Sequence, residues 1–178
     1  MYLSFNTEKP RHKVFISFYH KDDQLYKETL DVIWGEKIIN KSVMDGEYNP
    51  DDSDTYIKRL IREEKISDTS VIVVLIGNHK KNRKHVDWEI YAGLRASING
   101  SAGLLGILLP EINTNGNEYP FSVLPPRLAD NVKTGYAKIY KWNDAIKNFP
   151  QIVEEAFMNR INLRKCIKND RVQMKNNR

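Results

Sequence analysis

The stretch Val71-Ile72-Val73-Val74-Leu75-Ile76-Gly77, followed by Asn78-His79-Lys80-Lys81-Asn82-Arg83-Lys84-His85 and then Val86-Asp87-Trp88-Glu89-Ile90-Tyr91, decides the fold. Residues 71–76 are continuously apolar and rich in β-branched side chains. That composition predicts a strand covered on both faces, the usual state of a central parallel strand. A basic loop follows. Val86, Ile90, Leu94 and Ile98 then recur every four residues, which predicts a helix with one face for a sheet. The unit is therefore strand, loop and helix, with Glu89 near the helix start.

The same unit recurs outward in both directions. Toward the N-terminus, Val14-Phe15-Ile16-Ser17-Phe18-Tyr19 predicts a first strand. Asp22 and Asp23 are expected to cap the helix after it, with Tyr26, Leu30, Ile33 and Trp34 inward and Gly35 as its end. Ile38, Ile39, Val43 and Met44 can supply a short second strand. Residues 45–52 read as a polar loop, and Ser53 or Asp54 caps a second helix with Ile57, Leu60 and Ile61 inward. Toward the C-terminus, residues 104–109 predict another buried strand, stopped by Pro110. Residues 110–124 read as a long excursion with a hairpin, 125–131 as a helical turn or rigid loop, and 136–141 as an edge strand. Pro150 suits the start of a last helix carrying Phe149, Val153, Ala156, Phe157 and Ile161. Alternation of this kind implies an α/β fold in three layers, with a mostly parallel five-stranded sheet. Its ligand edge lies outside the C-terminal ends of the strands.

Length and composition agree with one domain. The 178 residues are 40% hydrophobic and 29% charged, ordinary for a globular chain. No apolar run approaches the roughly 18 residues of a membrane span, so no membrane association is expected. The N-terminal residues lack the pattern of a signal peptide. Cys166 is the single cysteine, which excludes an internal disulfide and favours a reducing, cytoplasmic setting. The net charge of +5 resides in residues 164–178, where Arg164, Lys165, Lys168, Arg171, Lys175 and Arg178 face only Asp170. Such a tail is expected to be solvated and mobile. It carries no interleaved stacking aromatics, so nucleic acid is not an expected partner. The divisions are a lead-in over 1–10, an α/β domain over 11–163 and a basic tail over 164–178.

Several residues at the ligand edge have chemistry to offer. Glu89 lies about 60° round the helix from Val86, at the margin of the buried face. It can reach a ligand, or serve as a first-turn acid favoured by the helix dipole. His20 faces the cleft or the solvent. Lys80, Lys81, Arg83 and Lys84 can steer a phosphate-bearing ligand or simply be solvated. Trp88 packs, or borders a ring. Asp45 stands in the loop after the second strand. Neither GxGxxG nor GxxxxGK[ST] is present, which disfavours the common nucleotide folds that carry them. His12, His20, His79 and His85 lack the spacing of a metal site.

Three blocks together resemble a known family. They are Lys13-Val14-Phe15-Ile16-Ser17-Phe18 followed by Asp22, then Thr69-Ser70-Val71-Ile72-Val73-Val74-Leu75-Ile76-Gly77, then Arg83-Lys84-His85-Val86-Asp87-Trp88-Glu89-Ile90. Over residues 11–142 the chain resembles the bacterial TIR-like proteins (Toll/interleukin-1-receptor domains), closest to the sensor proteins of Thoeris antiphage defence. The resemblance implies a flavodoxin-like domain that takes NAD+ as substrate, with no separate cofactor or metal. It implies cleavage of the nicotinamide–ribose bond and release of a cyclic ADP-ribose isomer. That diffusible nucleotide would activate a separate effector protein, after a phage-derived trigger and with assembly into homo-oligomers. The family's essential glutamate maps to Glu89. Its cleft residues map to Ser17, Phe18, Tyr19, His20 and Asp22, and less directly to Asp23. The edge itself adds Asp45, Lys84 and Trp88 to the residues expected to bind NAD+. The alternative is a non-catalytic TIR-like interaction or scaffold module.

Overall fold

The computed structural model describes residues 11–41, 52–78, 84–95, 100–116 and 118–177. Asp45, the proposed strand residues Val43 and Met44, His79 to Arg83, and Ile98 lie outside them. Strand β1 spans His12–Ser17 and is followed by helix α1, His20–Trp34. Strand β2 is Ile38–Asn40, and α2 is Asp54–Leu60 with one wider turn continuing through Ile61–Lys65. Strand β3, Val71–Ile76, leads to α3, Lys84–Leu94. Strand β4 is Gly103–Leu108 and α4 is Pro126–Lys133. Strand β5, Lys138–Lys141, runs into the short α5, Trp142–Ala145, and then α6, Phe149–Asn162.

All five strands are parallel, in the order β2-β1-β3-β4-β5. The residues explain the order. Every residue of β3 and β4 is buried, so these apolar strands occupy the middle. Lys138 is exposed and Ile139, Tyr140 and Lys141 are only half-buried, and β5 takes an edge. Side chains of each strand divide by period two between two cores. Phe15, Ile72, Val74 and Ile76 meet Ile57, Ile61, Val86, Ile90 and Leu128 beneath α2, α3 and α4. Val14, Ile16, Val73 and Leu75 meet Leu30, Phe149 and Val153 beneath α1 and α6. Helix α3 lies close on β3 because Gly93 has no Cβ, and one there would run into the Ile72 side chain.

Three differences from the sequence reading have plain causes. Helix α1 begins one turn early, at His20 with Tyr19 as N-cap, so Asp22 and Asp23 sit in its first turn rather than at the cap. The Asp23 carboxylate still serves the helix end, by accepting the Tyr19 N–H at 3.1 Å. In the 110–124 excursion, the hairpin reduces to a single antiparallel bridge between Asn115 and Glu118. The basic tail is not free. Residues 168–177 lie along α3 and α4 as a strap, tied mainly through their backbone to side chains of those helices. Among the described residues, no helix is long and apolar enough to cross a membrane.

Candidate functional site

The chain leaves β1 toward β2 on one side, while β3 takes the other side of β1. In an open parallel sheet, this reversal opens a crevice at the C-terminal ends of the two strands. Ser17 is the last residue of β1, and Gly77 follows the last residue of β3. Both therefore stand at the crevice.

Ser17 shares its face of the sheet with Phe15, toward α3. Its Oγ donates a 2.5 Å hydrogen bond to Glu89 Oε2, across 72 residues of sequence. Ser17 is 1% and Glu89 6% exposed, so the carboxylate is nearly out of water. A hydroxyl is a neutral donor, so it orients this carboxylate without cancelling its charge. Glu89 is thus held at the switch point by the family-matched strand position, Ser17.

The opposite face of the same edge carries a second acidic group. A Cβ on Gly77 would lie 2.7 Å from Asp23 Oδ1 and 2.8 Å from Glu111 Oε1, so both carboxylates converge on the bare side of this glycine. Asp23 is 2% exposed, whereas Asp22, one residue earlier, is exposed. The Tyr26 hydroxyl is 3.4 Å from Glu111 Oε2, and its ring packs edge-on to Trp142 at 4.9 Å between centroids. Partial burial, with Glu111 and Asp23 nearby, raises the Tyr26 pKa. Glu111 and Tyr26 were not among the expected site residues. The signal for them was the glycine ending β3, together with an acid just past Pro110 on the expected edge.

The remaining expected residues are placed as follows. Phe18 and Tyr19 form the half-buried β1–α1 connection at the crevice, and His20 starts α1 beside them. Lys84 turns toward α2, where its Nζ meets Asp54 at 2.7 Å and holds that carboxyl below its usual range. Trp88 is 1% exposed and donates its indole N–H to the Met174 carbonyl at 2.8 Å, on the strap side of α3. It also borders a cleft of about 170 Å³ with Lys58, Arg62, Tyr91, Arg95 and Gln173. That cleft includes neither Ser17 nor Glu89. Trp88 therefore does not join Glu89 at the crevice; the two residues share a helix and face different ways.

A protein-family model described as the TIR-like domain of the Thoeris protein ThsB matches residues 15–114. No curated protein matches the chain. The matched span runs from β1 past β4 and contains Ser17, Asp23, Gly77, Glu89 and Glu111. It covers more than half of the 178 residues, and the five-stranded parallel sheet agrees with it. The chain belongs to the Thoeris ThsB TIR-like domain family, and with it to proteins of TIR-type signalling.

Proposed function

We propose that this chain cleaves the bond between nicotinamide and ribose in NAD+ and returns a cyclic ADP-ribose isomer that activates a separate effector in antiphage defence. The observation that carries this reading is the buried Glu89 carboxylate, held by Ser17 at the switch point of the sheet. Nicotinamide bears a positive ring nitrogen and leaves as a neutral base when the C–N bond breaks. The bonding pair goes with it, and the ribose C1′ becomes oxocarbenium-like. One fixed carboxylate stabilises that charge and orients the ribose hydroxyls, as glycosidase carboxylates do. Attack by another part of the same nucleotide closes the ring, and a crevice that excludes water favours this over hydrolysis.

Glu89→Gln tests the assignment. It keeps the shape and the hydrogen bond from Ser17 while removing the charge. NAD+ consumption is expected to fall by at least about 100-fold, the scale of losing one electrostatic stabiliser, with the circular dichroism spectrum unchanged. Turnover at the parental rate would remove Glu89 from the mechanism. Mass spectrometry of the product separates cyclisation from hydrolysis. A second reading, a non-catalytic interaction module, draws on the outer face of α1. There Leu25 and Val32, seven residues apart, are 69% and 86% exposed. Silence toward NAD+ with and without a phage-derived trigger, together with a stable hetero-complex, would favour it.

A further inference from the structure

Helix α3 is held on two sides. Val86, Glu89, Ile90 and Gly93 face the sheet. Lys84, Asp87, Trp88 and Tyr91, spaced i, i+3, i+4 and i+7, form the opposite stripe, and each is bonded to the strap. The Lys84 N–H, at the start of the helix, donates to Asn177 Oδ1 at 2.9 Å. Asp87 Oδ2 accepts the Met174 N–H at 2.8 Å, and the Met174 carbonyl accepts the Trp88 indole N–H at 2.8 Å. Asn169 Nδ2 donates to the Tyr91 carbonyl at 3.0 Å.

Arg127 locks this layer together. It is fully buried and donates to Asp87 Oδ1 at 2.8 Å, to the Asn169 carbonyl at 3.2 Å and to the Arg171 carbonyl at 2.8 Å. Asn131 adds a reciprocal pair with the backbone of Lys168, at 2.7 and 2.9 Å. Arg127, Asn131 and the strap all lie outside the family-matched span of 15–114. They are not needed to bury the apolar face of α3, which the sheet already covers. What they add is directional: hydrogen bonds fix the rotation and axial position of a helix in a way that apolar contact does not.

We propose that the C-terminal strap is a positioning element for the site, with Arg127 and Asp87 as its positioning residues: it clamps α3 from behind so that Glu89 stays on Ser17. None of these groups reaches the crevice. Their effect passes through the helix, and a shift of about 1 Å at a reacting group is enough to cost on the order of 100-fold in rate. The kinetic part rests on the NAD+-cleaving reading above; the positional part does not.

The experiment uses full-length Met174→Pro, which removes the N–H that Asp87 accepts and leaves the core side chains untouched. Asn177→Ala and Asn177→Asp form a second pair, the latter keeping an acceptor for the Lys84 N–H. Three quantities are read: amide exchange along 84–94, the ¹³C titration of the Glu89 carboxyl, and kcat and KM for NAD+. In Met174→Pro, exchange over 84–91 is expected to rise about ten-fold or more while β3 and β4 stay protected. The Glu89 titration midpoint moves, and kcat drops about ten-fold with KM nearly unchanged. Asn177→Ala shows a smaller loss, and Asn177→Asp restores the parental values. Unchanged exchange in Met174→Pro, or raised exchange with an unmoved Glu89 titration, overturns the proposal. If the parental chain consumes no NAD+, the NAD+ reading fails, and exchange and titration alone decide the role of the strap.

Discussion

Asp87 and Glu89 stand two residues apart on α3, about 200° round the helix, and both are buried, at 3% and 6% exposure. Their partners differ. Asp87 meets the buried guanidinium of Arg127 and a backbone N–H from the strap. Glu89 meets the hydroxyl of Ser17 at the strand edge. The first carboxylate has its charge matched by an equally buried cation and acts as a structural tie. The second accepts the Ser17 hydroxyl at the strand edge, where a ligand can come. Two acids of one helix thus take opposite duties, and the partner across the fold decides which.

Removing the charge from each acid in turn tests this contrast. Asp87→Asn leaves Arg127 buried without its counter-charge. Breaking a buried pair from one side costs about 3–5 kcal/mol, which lowers the melting temperature by on the order of 10 °C for a chain of this size. Glu89→Gln keeps a neutral partner for Ser17 and is expected to move stability by less than about 1 kcal/mol. Thermal unfolding of the two variants side by side reads the difference. Equal losses would show that the two carboxylates are not distinct in kind.

A smaller effect sharpens the Glu89 side. Ser17→Ala removes the donor that orients the carboxylate. NAD+ turnover is expected to fall about ten-fold, with a stability loss near 1 kcal/mol, the usual worth of one hydrogen bond. Turnover unchanged in steady-state assays would leave Ser17 as packing only.

The smallest effect lies on the strap side. Arg171 beside Asp130 holds that carboxyl below the usual carboxylate range. Its nitrogens approach at 2.7 and 2.9 Å. A depressed carboxyl contributes stability in full above its unfolded pKa, near 3.9. That contribution declines below this point and is lost as pH falls through the lower folded value. Both side chains are partly exposed, so the gain at neutral pH is under about 1 kcal/mol. Asp130→Asn should therefore lower the neutral end of the stability–pH curve by less than about 1 kcal/mol, leave the end below the folded pKa unmoved, and so flatten the fall in stability below pH 4.

Much of the frame was legible. Residues 71–76 and 104–109 had to be central strands because their apolar runs leave no solvated face, and Val86, Ile90 and Leu94 marked the buried stripe of α3. The strap was not legible. Many of its ties run from backbone groups, which every residue carries, to side chains far away in sequence. Arg127 in a Pro-Pro-Arg-Leu run looks like a surface arginine, and only the fold buries it. As helix caps Asp22 and Asp23 were equivalent on paper, and the family resemblance favoured Asp22 for the cleft. The start of α1 at His20 set the phase that exposes one and turns the other toward Gly77.

The sequence by itself determined the alternation of strands and helices, the central place of β3 and the position of Glu89 near the start of a helix on the ligand edge. These follow from local periods in apolar residues, which act over one or two turns. The tertiary structure alone decided that Glu89 rests on Ser17, that Asp23 and Glu111 converge at Gly77, and that Asp87, Arg127 and the strap hold α3 from behind. Those pairings join residues 34 to 88 positions apart, and no local period encodes which distant group a carboxylate will meet.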